Sequence, residues 1–181
     1  MKKITIKVNL NNNSYPIVIG KKILNNTGSE IKRIIPKANK FLLITDKNIP
    51  KSYIRSILSS IKSNNKYVFT LSAGEKSKNM NFTNSILKKL FKYNFNRDDC
   101  VIALGGGVIG DLSGFASSIF KRGVNFVQIP TTLLAQVDSS IGGKTGINSS
   151  EGKNMIGTFY QPKLVLIDPI TLKSLPHRHL I

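Results

Sequence analysis

The sequence contains little cysteine and no long apolar run. Its single cysteine, Cys100, excludes an internal disulfide and fits a reducing compartment. Apolar runs such as residues 41–44 and 164–167 are far shorter than the roughly 20 residues that a membrane-spanning helix requires. Apolar residues still make up 40% of the 181-residue chain, which is enough to bury a sizeable core in one α/β domain.

The first residues do not match the pattern of a secretory signal peptide, and we expect none there. The chain begins Met-Lys-Lys, but Thr5, Lys7 and Asn9 interrupt the apolar segment that such a signal needs. We therefore expect the first residues to form an exposed strand. The protein is predicted to be cytoplasmic and not associated with a membrane.

Acidic residues are scarce, mainly in the first half of the chain. The whole sequence has 27 Lys and Arg against 9 Asp and Glu, a formal charge of +18. Residues 1–97 hold 20 of these basic residues and 3 of the acidic ones. A basic surface can bind nucleic-acid phosphates, but these lysines are dispersed singly or in pairs without interleaved aromatic residues. We interpret the excess as a compositional bias and expect no nucleic-acid partner.

The spacing of apolar residues predicts an α/β fold. Residues 2–9 alternate between apolar and polar, and residues 11–14 form a turn into a second strand at residues 15–19, which gives an N-terminal β-hairpin. Amphipathic helical patterns alternate with further short apolar strands at residues 41–45, 67–71, 101–104, 126–129 and 164–167. This alternation implies a Rossmann-like parallel sheet with helices on both faces. Ligands of such sheets bind beyond the carboxyl ends of the strands.

The strongest local motif directly follows the strand at residues 101–104. Residues 105–111 read Gly-Gly-Gly-Val-Ile-Gly-Asp, which matches G-x-G-x-x-G between a strand and a helix. Glycines let the backbone approach a pyrophosphate, and helix N-terminal N–H groups meet its charge. The alternative is a tight turn that binds nothing. No acidic residue lies between Asp111 and Asp138, so this is a dinucleotide site of another type than the ordinary one, or not one at all.

Candidate ribose-binding groups lie at the ends of two other strands. Asp46 and Asn48 follow residues 41–45, and Glu75 and Lys78 lie in the loop after residues 67–71. The second loop combines a carboxylate for ribose hydroxyls with a cation for phosphate. For Asp46 the alternative is a helix N-cap.

Two later loops add charged groups. Residues 143–145 read Gly-Lys-Thr, like the tail of a Walker A loop, but Asp138 stands where that motif requires its first glycine, which disfavours a P-loop. Asp138 could orient or polarise an alcohol, and Lys144 could bind the phosphate of an anionic substrate. The alternative is a structural ion pair between them. The loop at residues 151–157 contributes Lys153 and Asn154.

Taken together, these segments resemble the 3-dehydroquinate synthase family of sugar-phosphate cyclases. The matching segments are residues 105–111, 121–123, 130–145, 152–154 and 159–162. The resemblance runs in order along nearly the whole chain. It implies an NAD-dependent lyase that converts 3-deoxy-D-arabino-heptulosonate 7-phosphate to 3-dehydroquinate and phosphate, a step of the shikimate pathway and of aromatic amino acid biosynthesis. It also implies a homodimer and a divalent metal ion, zinc or cobalt.

The resemblance also implies roles for individual residues. Catalytic roles fall on Asp138 and Lys144. Substrate contacts fall on Asn154 and on Arg122, which resembles an arginine donated across the dimer interface. The implied cofactor contacts are Asp46, Asn48, Gly74, Glu75, Lys78, Gly106, Gly107, Val108, Gly110, Asp111, Thr131, Thr132, Lys144, Lys153, Thr171 and Ser174.

The chain departs from the family in its length. Family members are about twice as long, and their second, helical domain carries the metal ligands. We therefore expect an NAD-binding domain at residues 1–168, the start of a truncated helical domain at residues 169–181, and no metal ligands in this chain. His177 and His179 lack a third ligand and are expected at a solvated terminus. The expected outcome is NAD binding without turnover; the alternatives are another sugar-phosphate cyclase or a non-catalytic fragment.

Overall fold

Residues 3–176 are described by a computed structural model of the protein. His177 and His179 lie outside this part. The strands are β1 (Ile4–Val8), β2 (Tyr15–Ile19), β3 (Lys40–Asp46), β4 (Asn65–Leu71), β5 (Cys100–Gly105), β6 (Asn125–Pro130), β7 (Lys144–Ile147), β8 (Ile156–Phe159) and β9 (Leu164–Ile167). The helices are α1 (Thr27–Ile34), α2 (Lys51–Ser60), α3 (Met80–Lys92) and α4 (Gly107–Ile119).

Seven strands form one sheet in the order β1-β2-β9-β6-β5-β3-β4. β1 pairs antiparallel with β2, and the other neighbours pair in parallel. Gly105 of β5 pairs with Pro130 of β6, so the ends of these two strands lie side by side. The predicted N-terminal hairpin and parallel sheet are both confirmed.

Helices cover both faces of the sheet, as predicted. Leu43 of β3 packs in a cluster that contains Ile57 of α2. The neighbouring Leu42 points to the other face and packs in a cluster that contains Ile86 of α3. Because both faces are covered, β5 is buried along its whole length, which explains why this strand reads as a continuous apolar run.

The sequence pattern did not predict α1 or the separate two-stranded sheet of β7 and β8. α1 begins Thr-Gly-Ser, three residues of modest or poor helix propensity. β7 and β8 are four residues each, and Gly146 pairs with Gly157 between them, whereas glycine is depleted in strands. The prediction of one loop over residues 130–145 was therefore wrong: Ala135–Ser139 is a π-helical turn, and Lys144 begins β7.

The last described residues fold onto the sheet domain. Pro169–Ser174 is a 3-10 helix whose N-cap, Asp168, accepts a hydrogen bond from the Ile170 N–H at 3.0 Å. Thr171 within it is fully buried. The predicted domain boundary at residue 168 stays a prediction. No helix among residues 3–176 is long and apolar enough to cross a membrane.

Candidate functional site

The glycine motif lies where β5 ends and α4 begins, at the carboxyl edge of the sheet. Gly105 closes β5, and Gly107 opens the helix. Gly106 is the N-cap residue and provides no side-chain cap, which leaves the first N–H groups of α4 available to an anion. One turn further, a Cβ on Gly110 would lie 2.8 Å from Gln128 Oε1, so a larger residue there would require the Gln128 side chain to shift.

Two other glycines of the motif are pressed against the chain that follows β6. A Cβ on Gly106 would lie 2.9 Å from Thr132 Cγ2, and one on Gly107 would lie 3.1 Å from Ser139 Oγ. Internal packing thus accounts for small residues at both positions. The glycines alone therefore do not identify a ligand.

Thr131 has a buried hydroxyl close to the glycine turn. Its side chain is 1% exposed, and its hydroxyl has no hydrogen-bond partner among residues 3–176. Its N–H donates to the Gly105 carbonyl at 2.9 Å, which places it beside the glycine turn. A buried hydroxyl without a partner costs about 1–3 kcal/mol. Thr45, Ser113, Ser140 and Gln161 also carry buried polar atoms without a partner among the described residues, so the Thr131 hydroxyl does not by itself identify a ligand.

Lys78, Asp111 and Asn154 come together from three distant segments. Lys78 is 5% exposed, and its Nζ lies 2.5 Å from Asp111 Oδ2. The same ammonium donates to the Asn154 side-chain oxygen. Burial raises the pKa of the Asp111 carboxyl, and the Lys78 ammonium opposes that rise.

Asn148 joins this group to Glu75. Its Nδ2 donates to Glu75 Oε1 at 2.8 Å, and its Oδ1 accepts from the Asn154 N–H at 2.9 Å. Its own N–H donates to the Lys78 carbonyl at 2.8 Å. The sequence analysis missed Asn148 because it follows β7, which was not recognised as a strand. A prediction of the β7–β8 hairpin would have placed Asn148 beside Glu75 and Asn154.

Several of the predicted residues line one cavity of about 620 Å³. They are Asp111, Asp138, Lys144 and Asn154. The volume is typical of a small-molecule site. Asp138 and Lys144 are both exposed, and they form no ion pair with each other among residues 3–176. The interpretation of these two residues as a structural ion pair was therefore wrong.

The hairpin of β7 and β8 lies against α4 and forms one wall of this cavity. Thr158 of β8 donates to Ser118 of α4 at 2.9 Å, and a Cβ on Gly114 would lie only 2.4 Å from Thr145 Cγ2. This close approach positions Lys144 at the start of β7.

Two glycines form the turn that leads into β7. Gly142 and Gly143 have φ values of 89° and 70°, a conformation that glycine adopts without strain. The Gly143 carbonyl accepts from the Tyr160 N–H at 2.7 Å. The turn that carries Lys144 is thereby tied to the end of β8.

Asp46 ends β3 and Asn48 follows it, at the same edge of the sheet. Asp46 Oδ1 accepts from the Asn48 N–H at 2.8 Å, and burial raises the pKa of this carboxyl. The N-cap of α2 is Pro50, so the alternative of Asp46 as a helix cap was wrong. Gly74, with φ 93°, introduces the exposed Glu75 after β4.

Arg122 lies away from the cavity. It follows the C-terminal end of α4, and 13 helical residues place it about 20 Å from the glycine turn at 1.5 Å per residue. Lys121 and Arg122 both adopt left-handed backbone, with φ values of 48° and 62°. The contact of Arg122 with a neighbouring subunit stays a prediction.

Three other predicted cofactor contacts do not line the cavity. The Thr171 hydroxyl accepts from Gln136 Nε2 at 2.9 Å and donates to the Asp168 carbonyl at 2.8 Å. Ser174 Oγ donates to the Thr171 carbonyl at 2.7 Å. Lys153 is exposed between β7 and β8. Their roles toward a cofactor stay predictions.

The described residues offer no ligand set for the zinc or cobalt ion that the resemblance implies. Residues 3–176 contain no group of three or more His, Cys, Asp or Glu side chains that could hold a metal. No chemical step is therefore assigned to a metal in this part of the chain.

Comparison with known proteins supports one family. The family model for the 3-dehydroquinate synthase N-terminal domain matches residues 68–181. A 3-dehydroquinate synthase from Pelagibacter ubique (strain HTCC1062) is 50% identical over 178 residues, which cover 98% of this chain and 48% of the relative. The chain thus spans about half the length of the curated relatives it matches.

Two solved structures that share the fold contain NAD+ and a divalent metal ion. The structure of 2-deoxy-scyllo-inosose synthase with carbaglucose-6-phosphate, NAD+ and Co2+ has a TM-score of 0.88 at 25% identity, covering 98% of this chain and 48% of that one. The structure of 2-epi-5-epi-valiolone synthase from Streptomyces hygroscopicus subsp. jinggangensis 5008, with NAD+ and Zn2+ bound, has a TM-score of 0.81 at 30% identity, covering 96% and 48%. The chain belongs to the 3-dehydroquinate synthase family and corresponds to the N-terminal half of its relatives.

Proposed function

We propose that this chain is the NAD-binding part of a 3-dehydroquinate synthase that converts 3-deoxy-D-arabino-heptulosonate 7-phosphate to 3-dehydroquinate and phosphate. The observation that carries the proposal is the glycine turn between β5 and α4, which leaves the first N–H groups of α4 without a side-chain cap at the carboxyl edge of the sheet. The 50% identity to a 3-dehydroquinate synthase supports the reaction.

The residues at the carboxyl edge fit a dinucleotide. The N–H groups of Gly107 and Val108 would meet the diphosphate at the start of α4, and Thr131 would gain the partner that its hydroxyl lacks. Glu75, exposed in the loop after β4, would accept hydrogen bonds from ribose hydroxyls. When bound, NAD supplies a hydride acceptor and donor for an alcohol of the substrate.

The cavity beside this edge suits a phosphorylated sugar. Lys144 presents an exposed ammonium, which can bind a phosphate and stabilise the charge that grows as phosphate leaves. Asp138 presents an exposed carboxylate in the same cavity, which can accept a hydrogen bond from a sugar hydroxyl and orient it. Asn154 adds an amide to the same wall.

We further propose that the 181-residue polypeptide alone binds NAD without turning over substrate. The support is that residues 3–176 hold no group of three potential metal ligands, while the related cyclase structures contain Co2+ or Zn2+. Phosphate release from the heptulosonate substrate by the purified chain would contradict this. A homodimer in which Arg122 reaches the neighbouring site belongs to the same proposal.

A second candidate is another sugar-phosphate cyclase. The fold neighbours at 25% and 30% identity are named for different products, 2-deoxy-scyllo-inosose and 2-epi-5-epi-valiolone. The higher identity to 3-dehydroquinate synthases favours the first candidate. Product analysis of a protein that spans the whole length of the relatives distinguishes the two.

Binding of NAD is tested by thermal melting. At a concentration of 100 times Kd, NAD is expected to stabilise the folded chain by about 2.7 kcal/mol, which corresponds to a rise in Tm of roughly 5–10 °C. A random DNA duplex at physiological salt is the control for the basic surface and is expected to leave Tm unchanged. A rise in Tm with DNA and none with NAD would contradict the proposal.

A matched pair of variants tests the role of Thr131. Thr131→Val removes the hydroxyl at constant shape and is expected to weaken NAD binding about tenfold, through one lost hydrogen bond to a charged ligand. Thr45→Val is the control, because Thr45 is also fully buried with an unpartnered hydroxyl among the described residues but lies within β3. Neither variant should lower the free energy of unfolding. Calorimetric titration with NAD measures both, and equal affinities would contradict the assignment.

A further inference from the structure

Asn148 connects three segments that the sequence analysis treated separately. It contacts Glu75 after β4, Lys78 before α3, and Asn154 at the end of the loop between β7 and β8. Through Asn154 and Lys78 the connection continues to Asp111 in α4. Asn148 itself carries none of the predicted contacts with cofactor or substrate.

The Asn148 amide is held in one orientation by its neighbours. Its oxygen accepts from the Asn154 N–H, and its nitrogen donates to Glu75 Oε1. Rotating the amide by 180° would set its oxygen against the Glu75 carboxylate and its nitrogen against an N–H donor, so only one orientation satisfies both partners. The donor that faces Glu75 is therefore fixed.

The contact leaves part of the Glu75 carboxylate free for a ligand. Asn148 occupies Oε1, while the side chain borders a cavity of about 360 Å³ that is lined by Glu75, Lys78 and Asn148, among others. An exposed glutamate samples many rotamers, and ordering it during binding opposes association. Holding one carboxylate oxygen in advance removes part of that opposition.

We propose that Asn148 is a positioning residue that holds the Glu75 carboxylate ready to accept hydrogen bonds from the ribose of the coenzyme. This inference rests on the proposed function, because it assumes that Glu75 contacts NAD. Asn148 acts through Glu75 and needs no contact with the coenzyme itself.

The test replaces Asn148 with the isosteric aspartate. At pH 8 the carboxylate of Asn148→Asp cannot donate to Glu75 and repels it, so we expect NAD affinity to fall at least tenfold. As the pH falls toward 5, two adjacent carboxylates share a proton, which restores the donor, and the affinity should recover. A residue with only a structural role would not produce this pH profile.

Two controls accompany it. Asn81→Asp places the same charge at the same 360 Å³ cavity without a contact to Glu75, and its NAD affinity should change with pH as the wild type does. Asn148→Ala removes the side-chain donor at every pH, so the NAD affinity of this variant should stay low throughout the pH range. The Ala variant also keeps the test decisive if the Asp variant does not fold.

The outcomes separate the inference from the proposed function. Wild-type binding of NAD, with Asn148→Asp and Asn148→Ala both binding like the wild type at pH 8, would overturn the role of Asn148 and leave the proposed function standing. Affinity of Asn148→Asp that is low but does not recover at acidic pH would also overturn it. Failure of the wild-type chain to bind NAD would overturn the proposed function and the inference with it.

Discussion

Replacing Lys78 with methionine is expected to lower the free energy of unfolding by about 3 kcal/mol at pH 7, because it breaks a largely buried ion pair and leaves one charge without its partner. Lys78 is 5% exposed, and its ammonium is 2.5 Å from Asp111. The loss corresponds to a fall in Tm of roughly 6–12 °C. NAD binding should be lost as well, since Asp111 and Asn154 both depend on this ammonium for their placement.

The loss of stability should depend on pH in a defined direction. Burial raises the pKa of Asp111, and Lys78 opposes the rise, so the methionine variant should raise that pKa further. A carboxyl with a raised pKa binds its proton more tightly in the folded state, which stabilises the fold below the ordinary pKa of aspartate. That stability is lost as the pH rises through the folded-state pKa. Lys78→Met should therefore be close to the wild type near pH 4 and far less stable at pH 7.

Denaturant unfolding at several pH values measures this effect. Lys76→Met is the matched control, because Lys76 is an exposed lysine of the same loop and should change stability by less than about 0.5 kcal/mol. Adding Asp111→Asn to Lys78→Met removes the stranded carboxyl and should recover most of the stability at pH 7. A loss of equal size at every pH would show that Lys78 stabilises by packing alone.

Replacing Gly114 with alanine is expected to destabilise the protein by about 2 kcal/mol, although alanine favours an α-helix over glycine by about 1 kcal/mol. The added Cβ would lie 2.4 Å from Thr145 Cγ2 and 3.0 Å from Phe126 Cε1. Thr145 cannot rotate away freely, because its hydroxyl donates to the Thr158 carbonyl at 2.9 Å. The strand that carries Lys144 must shift instead.

The shift should reach the cavity, so ligand binding tests it together with stability. Gly20→Ala is the control, because the nearest atom to its Cβ would be Ile23 Cδ1 at an ordinary 3.6 Å. We expect Gly114→Ala to lower Tm by roughly 4–8 °C and the control to change it little. If Gly114→Ala melts like the wild type, the close packing of β7 on α4 is not as tight as described.

The sheet could be predicted because its strands are buried on both faces. The run at residues 101–104 is continuous and apolar, and β5 indeed spans Cys100–Gly105. The same logic predicted that the glycine motif lies at the carboxyl edge of the sheet, because it directly follows one of the parallel strands. The sequence pattern did not predict β7 and β8. Glycines pair across this short hairpin, so the strands show no alternation of apolar and polar residues. Contacts with α4 hold the hairpin in place instead.

The contacts between residues of the candidate site could not be predicted from the sequence. Lys78 meets Asp111 across 33 residues and Asn154 across 76, and no local spacing encodes such pairs. The residue types lead only to a prediction of the chemistry: a lysine and an aspartate near glycine turns suit an anionic ligand. Asn148 gave no signal, because a single asparagine in a polar segment is indistinguishable from an ordinary turn residue.

The hairpin of β7 and β8 forms a two-stranded sheet of its own, apart from the seven-stranded one. Its first strand is nevertheless anchored in the main core, because Ile147 is fully buried and packs in the same cluster as residues of β5 and α4. Lys144 starts that strand and Asn148 follows it. One buried side chain at the end of β7 therefore fixes the placement of both residues relative to the seven-stranded sheet.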